Sequence, residues 1–355
     1  MAGNLSIEQA RRNVDAARQA GNRAREAGAQ LDLGAALASN GLAVEASEAF
    51  EDAAAAARDT GDQELTGRAL ANAGSQLHLA GQHPDALRVS HEAIANFRGL
   101  GDRRSELRTL ANCAMIERAL GRPDEAIVSV GLALALAKDL DDRELTPALH
   151  SLHAELLAET GKSGGSRTAR QQAVQAARRV GDPLALAAAL ESLGEQLIGE
   201  HAYDEAVKVY FEVVGLHRTA RDVGGVYRCT LQLGLIYQHT GRWAESQSSL
   251  KEAATLGQQL GDAARQPYIK ATLASVMVLA SKDFDEAASL ALEAARGYHQ
   301  LDDRLGAGRS LATRGQALEG LGRTAEARQV FEDALEQLNG IDPEGESALR
   351  ALLAS

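Results

Sequence analysis

Residues 61–100 read GDQELTGRALANAGSQLHLAGQHPDALRVSHEAIANFRGL, and Gly101-Asp102 starts the pattern again. The stretch holds two turn signals, Gly61-Asp62 and Ala80-Gly81, each followed by apolar residues at helical spacing. That arrangement predicts two helices and two tight turns per unit. Outward from it, the first mark recurs as Gly101-Asp102, Asp141-Asp142, Gly181-Asp182, Arg221-Asp222, Gly261-Asp262 and Asp302-Asp303. From Gly61 the intervals are 40 residues five times, then 41. The second mark recurs as Asn40-Gly41, Leu120-Gly121, Thr160-Gly161, Thr240-Gly241 and Leu321-Gly322. Eight helix pairs therefore fit, at about 22–61, 62–101, 102–141, 142–181, 182–221, 222–261, 262–302 and 303–341.

Each mark has a chemical reason. The Asp of the first can cap the next helix by accepting a backbone N–H from its first turn. Acidic residues such as Asp85, Asp124, Glu125, Asp204, Glu205 and Glu326 open the second helices, where the helix dipole favours negative charge. Pro84, Pro123 and Pro183 fall at helix starts, where no N–H bond is lost. Pro147 and Pro267 follow the capping Asp by five residues, which predicts a late start for those two helices.

Composition agrees with an all-α chain. Apolar residues make up 45% of the 355 positions but aromatics only 3%, so the core is built from Ala, Leu, Val and Ile, which suits close-packed helices. The net charge of −12 argues against a general nucleic-acid binder, because phosphate affinity needs positive surface. No apolar run is long enough to span a bilayer, and residues 1–20 lack a signal-peptide pattern. No membrane or nucleic-acid partner is expected, and the default compartment is a reducing cytoplasm. Cys113 and Cys229 alone make neither a disulfide framework nor a zinc site.

These residues resemble the tetratricopeptide repeat (TPR) family. Its hallmark is a small residue in the first helix, here Gly34, Gly74, Ala114, Ala154, Gly194, Gly234, Ser275 and Gly315. Twelve positions on stand Ala46, Ala86, Ala126, Ser166, Ala206, Ser246, Ala287 and Ala327. Seven beyond those stand Ala53, Ala93, Ala133, Ala173, Val213, Ala253, Ala294 and Ala334. The unit is longer than the usual TPR, as in kinesin light chains, Rap-type peptide receptors and large bacterial regulators. The resemblance implies a right-handed superhelical solenoid over residues 1–355, with a capping helix at 5–20 and a C-terminal cap at 342–355. Since the array starts almost at Met1, no DNA-binding or nucleotidase domain is expected before it.

In TPR folds the first helices line a concave groove. Ligand-facing positions lie six and two residues before the small residue, and one and four after it. Repeats two and three place Arg68, Asn72, Ser75, His78, Arg108, Asn112, Met115 and Arg118 there. Asn can pair with an extended peptide backbone, and Arg can hold a carboxylate with two parallel bonds. Asn72 and Arg108 match two positions of the chaperone-type carboxylate clamp, but Leu31, Ala35 and Asn112 depart from it, so that clamp is not expected. Repeats four and five offer Glu155, Glu159, Glu191 and Glu195, and repeat six Arg228, Gln232 and His239. Repeat seven reads as apolar through Ile269, Val276 and Leu279.

Other features read as structural. The row Arg58, Arg98, Lys138, Arg178 and Arg218 suits helix C-termini beside the capping Asp. Thr160-Gly161-Lys162-Ser163 follows a helix and has Leu156 where a phosphate-binding loop needs Gly, so it is a turn. Gly164-Gly165 is a candidate hinge between halves. His150 and His153 lack a third metal ligand of suitable spacing. Trp243 and Phe284 occupy equivalent turns and staple adjacent helices.

No catalytic constellation, metal site or cofactor motif stands out. The expected function is non-enzymatic recognition of an extended peptide or protein segment through Arg68, Asn72, His78, Arg108, Asn112, Arg118, Arg228 and Gln232. The alternatives are a sensor that closes around a small molecule or signal peptide, and a homo-oligomeric array stacked through the solenoid ends.

Overall fold

The computed structural model describes residues 6–354, which form eighteen α-helices and, among the described residues, no strand. Leu5, expected in the first cap, and Ser355, expected in the last, lie outside them. A lone helix, α1 (Ile7–Gln19), precedes eight pairs. The pairs begin with α2 (Arg23–Ser39) and α3 (Ala43–Asp59), α4 (Gln63–Leu79) and α5 (His83–Leu100), and α6 (Arg103–Ala119) and α7 (Pro123–Asp139). They continue with α8 (Thr146–Glu159) and α9 (Ser163–Val180), α10 (Pro183–Gly199) and α11 (Tyr203–Thr219), and α12 (Val223–His239) and α13 (Trp243–Gln259). The last are α14 (Gln266–Leu279) and α15 (Phe284–Gln300), then α16 (Arg304–Gly320) and α17 (Thr324–Leu338), followed by α18 (Pro343–Ala354).

The turn chemistry is as the sequence implies. Asp62, Asp102, Asp222 and Asp303 each accept the backbone N–H three residues on, at 2.8–3.1 Å. The residue before each capping Asp is left-handed: glycine at 61, 101, 181 and 261, but Asp141, Arg221 and Asp302 in the other repeats. The prolines behave as start signals. Pro147 and Pro267 are the second residues of α8 and α14, which are 14 residues long where most of their counterparts have 17.

The chain divides into two compact units, one ending at Val180 and one starting at Gly181. In the first, a core of small and aliphatic residues runs from Ala10 and Val14 through Phe50, Leu77, Phe97 and Ile116 to Leu156. In the second, Tyr227, Leu250, Ile269, Met277, Phe331 and Leu349 belong to one cluster, with Trp243 and Phe284 packed on it. Gly164 and Gly165, candidates for a hinge, lie in the first turn of α9. The turn at Thr160-Gly161 is a turn as expected, with Gly161 at φ 73°.

Two expectations are corrected. The cations near the second-helix C-termini pair less with the capping Asp than with acids of neighbouring helices. Arg58 reaches Glu92 at 2.6 Å, Arg98 reaches Glu106 at 2.5 Å and Arg218 reaches Glu252 at 2.6 Å. These mostly half-exposed pairs stitch helices together at about 0–1 kcal/mol each. In repeat seven, Ile269 and Val276 are fully buried, so they cannot face a ligand. The extra residue of that repeat lies in the turn after α14, where Ser281 and Asp283 are both left-handed. The small position of α14 is therefore Ala274, with no exposed surface, and the face reads Tyr268, Thr272 and Ser275.

Candidate functional site

On α4 and α6 the residues at ligand-facing positions share one open pocket of about 370 Å³, lined by Arg68, Asn72, Ser75, Arg108 and Asn112. The sequence reading missed Ser105 and Thr109, which join the wall, and Phe97, which is 2% exposed and closes the floor. The geometry follows from helical periodicity. Gly74 and Ala114 face the core, and residues six and two positions earlier stand together on the opposite side. Gly74 is pressed against the second helix, since a Cβ there would lie 2.3 Å from Ser90 Oγ.

Arg68 and Arg108 are exposed, and among the described residues no carboxylate pairs with either. That distinguishes them from many other arginines of the first unit. Arg23 pairs with Glu26 at 2.8 Å, Arg103 with Asp139 at 2.7 Å and Arg88 with Glu92 at 3.1 Å. Two free guanidinium groups beside two carboxamides can accept an anionic group while bonding to a peptide backbone.

Other members of the expected stripe have different surroundings. Arg118 donates to Glu155 at 2.5 Å and also pairs with Glu159, two acids on α8 expected to form a zone of opposite sign. The hydrogen bond to Glu159, burial opposing it, and that to Glu155 leave the guanidinium above its usual range. The arginine is thus neutralised by its two acids, and one negative charge is left over. His78 faces His83 with 3.2 Å between the Nδ1 atoms, and burial together with that neighbour lowers its pKa. Met115 is exposed but lies outside the pocket. In the second unit Arg228 and Gln232 are exposed one turn apart on α12, and His239 packs against the ring of Tyr203 at 4.6 Å. His150 and His153 are partly buried on α8, which lowers both pKa values. Cys113 is fully buried, and burial pushes its thiol up to about 12. No helix among the described residues is long and apolar enough to cross a membrane.

A cavity of about 670 Å³ lies in the first unit among α7, α8 and α9. It opens where Pro147 delays α8, and Lys138, His150 and Arg179 border it together with Asp142 and the Arg143–Asp141 ion pair of 2.9 Å.

A family model described as Anaphase-promoting complex subunit 5 matches residues 4–73, 97–160 and 195–283, more than half of the chain. A tetratricopeptide repeat model matches residues 308–337. Among curated proteins, none matches. Among solved structures, the STAND (Signal Transduction ATPase with Numerous Domains) protein with a tetratricopeptide repeat sensor from Pyrococcus horikoshii is similar, with a TM-score of 0.61 and 13% identity. The likeness covers 98% of this chain but only 55% of that one, so this chain spans about half its length. The apo form of RapI gives a TM-score of 0.54 at 12% identity, over 87% of this chain and 99% of that one. The C-terminal part of a TPR repeat-containing protein from Cytophaga hutchinsonii gives 0.56 at 12% identity, over 79% and 98%. These are likenesses of fold, and they fit the repeat marks and the helix pairs they produce. By its repeat signature, its helix pairing and these matches, the chain belongs to the tetratricopeptide repeat family, in repeats of the kind the Anaphase-promoting complex subunit 5 model describes.

Proposed function

We propose that the protein is a non-enzymatic binding scaffold that takes an extended, acidic peptide or protein segment on the first-helix face of α4 and α6. The observation that carries this is the pair of unneutralised guanidinium groups, Arg68 and Arg108, converging with Asn72 and Asn112 on one pocket. Burying a charged arginine in an intramolecular pair would waste it for recognition, and most neighbouring arginines are so used. Electrostatic complementarity at such a face sets register and excludes wrong partners. Arg228 and Gln232 hold the equivalent positions on α12 in the second unit.

The test is affinity capture from an extract of the native cells, comparing wild type with Arg68→Glu/Arg108→Glu. A protein retained by the first and lost by the second supports the reading. Equal capture by both removes this face as the site.

A second reading is favoured by the cavity among α7, α8 and α9, whose size suits a small molecule and where Lys138 and Arg179 could hold an anionic group beside the acidic Asp141 and Asp142. It makes the protein a ligand sensor. Ligand-dependent compaction in solution scattering, lost with Lys138→Glu/Arg179→Glu, would support it. An unchanged scattering profile across anionic metabolite mixtures counts against it.

A further inference from the structure

In the second unit, three consecutive helices bring unlike donors to one point. His217, third from last in α11, is 4% exposed, and Cys229 on α12 is 1% exposed. Glu191 projects from α10, its side chain 25% exposed. The glutamate oxygen, histidine nitrogen and cysteine sulfur all lie within 4.8 Å of one another. The histidine ring is placed with care. Gly225 in the first turn of α12 faces it so closely that a Cβ would lie 2.1 Å from Nδ1. Nδ1 lies 2.9 Å from Asp222 Oδ2, while Asp222 Oδ1 accepts the Gly225 N–H at 2.9 Å. Nε2 lies 2.7 Å from Glu191 Oε1.

We propose that Glu191, His217 and Cys229 bind one tetrahedral, thiophilic divalent cation of the zinc class. Thiolate, imidazole and carboxylate are the ligands zinc takes, at about 2.3, 2.0–2.1 and 2.0–2.2 Å. Tetrahedral bonds of those lengths set donor atoms about 3.3–3.6 Å apart. The present triangle reaches that with side-chain adjustments, the Nε2–Oε1 pair opening and the sulfur closing. Asp222 is the positioning residue. Its Oδ2 stands 2.9 Å from Nδ1 but off the N–H direction, and a small turn of the carboxylate would let it hold the Nδ1 proton and leave the Nε2 lone pair to the cation, as in carboxylate–histidine–zinc arrangements.

Charge and protons balance. Without a cation, the 2.7 Å Nε2–Oε1 hydrogen bond holds one proton and the buried Cys229 thiol another. Cation binding displaces both protons to solvent and forms bonds to sulfur, nitrogen and oxygen. The partly exposed Glu191 marks where water or a ligand group takes the fourth position. The two-cysteine arithmetic of the sequence misses this set, because its donors are spread over three helices and Glu191 lies 26 residues before His217.

The test is a cobalt(II) titration of the full chain after chelator treatment, read by optical absorption. The expected result is one ion per chain with a thiolate-to-cobalt charge-transfer band in the near ultraviolet, erased by added zinc. Cys229→Ser should abolish the band with the helical circular dichroism unchanged, while Cys113→Ser keeps it. Asp222→Asn should keep the band but weaken binding about 10–100-fold. A wild-type chain that takes up cobalt without the band overturns the proposal, whatever the variants do. A band that survives Cys229→Ser, or disappears with Cys113→Ser, overturns it too.

Discussion

Gly315 in α16 lies beneath the ring of Phe331 in α17, so near that a Cβ on the glycine would sit 2.3 Å from Cε1. Sixteen residues separate them, and the same offset joins Gly34 to Phe50, Gly194 to Tyr210 and Gly234 to Leu250, with separations of 2.6–2.8 Å. The small position of the repeat is thus one half of a lock whose other half is a large residue on the second helix. Gly315→Ala should destabilise the chain, because overpacking costs about 1–3 kcal/mol against the ~1 kcal/mol that Ala gains as a helix former. A net loss of up to about 2 kcal/mol is expected in urea unfolding, partly recovered by adding Phe331→Leu. Gly131 in α7 meets nothing within 4 Å, so Gly131→Ala should instead stabilise by up to ~1 kcal/mol. A higher urea midpoint for Gly315→Ala would end this account of the small position.

Arg118 separates the two roles an arginine can have on the first-helix face. Its guanidinium is engaged by Glu155 and Glu159, whereas Arg108 is free. Arg118→Ala should leave partner capture within twofold of wild type and cost at most about 1 kcal/mol of stability, since the pairs are partly solvated. Arg108→Glu should weaken capture by tenfold or more, as one lost charge-assisted contact and one new repulsion imply about 1.4 kcal/mol or greater. Equal losses for both variants would mean that the α6–α8 ion pairs open to take the partner.

The repeat boundaries, caps and core positions were legible because a period of 40 residues repeats each local rule many times, so Asp62 and Asp222 confirm one another. What escaped was whatever broke the period or crossed it. The 41-residue interval gave no hint of whether the extra residue lay in α14 or in the turn after it, and the wrong choice put buried Ile269 on the ligand face. Residues six and two before the small position could be named, but not their partners. Arg68 and Arg118 look alike in the sequence, and only α8 beside α6 shows that one is neutralised. The Glu191–His217–Cys229 cluster was invisible for the same reason, as no short spacing joins donors on three helices.

Arg221 tests the turn rule. It adopts φ 57° where Gly61, Gly101, Gly181 and Gly261 stand in other repeats. A left-handed conformation costs a side-chain-bearing residue about 1–2 kcal/mol, and glycine avoids this at an added unfolded-state entropy of ~0.4–1 kcal/mol. Arg221→Gly should therefore raise stability by about 0.5–1 kcal/mol. Gly61→Ala should lower it by a similar amount. Denaturant midpoints of the two variants moving in the same direction would contradict the shared role of the position.

Acid should loosen the first unit through its histidines before it reaches the carboxylates. Burial, with the neighbouring His153 adding to it, lowers His150, and burial alone lowers His153, both from an ordinary value of 6.5. The unfolded chain then binds more protons than the folded one as pH falls through 6.5, so stability rises with pH across that window and is lost below it. The carboxylates act lower. Glu26 is held below its ordinary 4.5 by hydrogen bonds from Arg18 and Arg23, so its contribution is present above 4.5 and disappears only as pH falls through its folded value. Urea midpoints should accordingly fall between pH 7.5 and 5.5, and His150→Gln/His153→Gln should flatten that slope while leaving the steeper loss below about pH 4.5, where carboxylates titrate. A wild-type midpoint that stays level down to pH 5.5 would mean that these imidazoles take up protons in the folded state as readily as in the unfolded one.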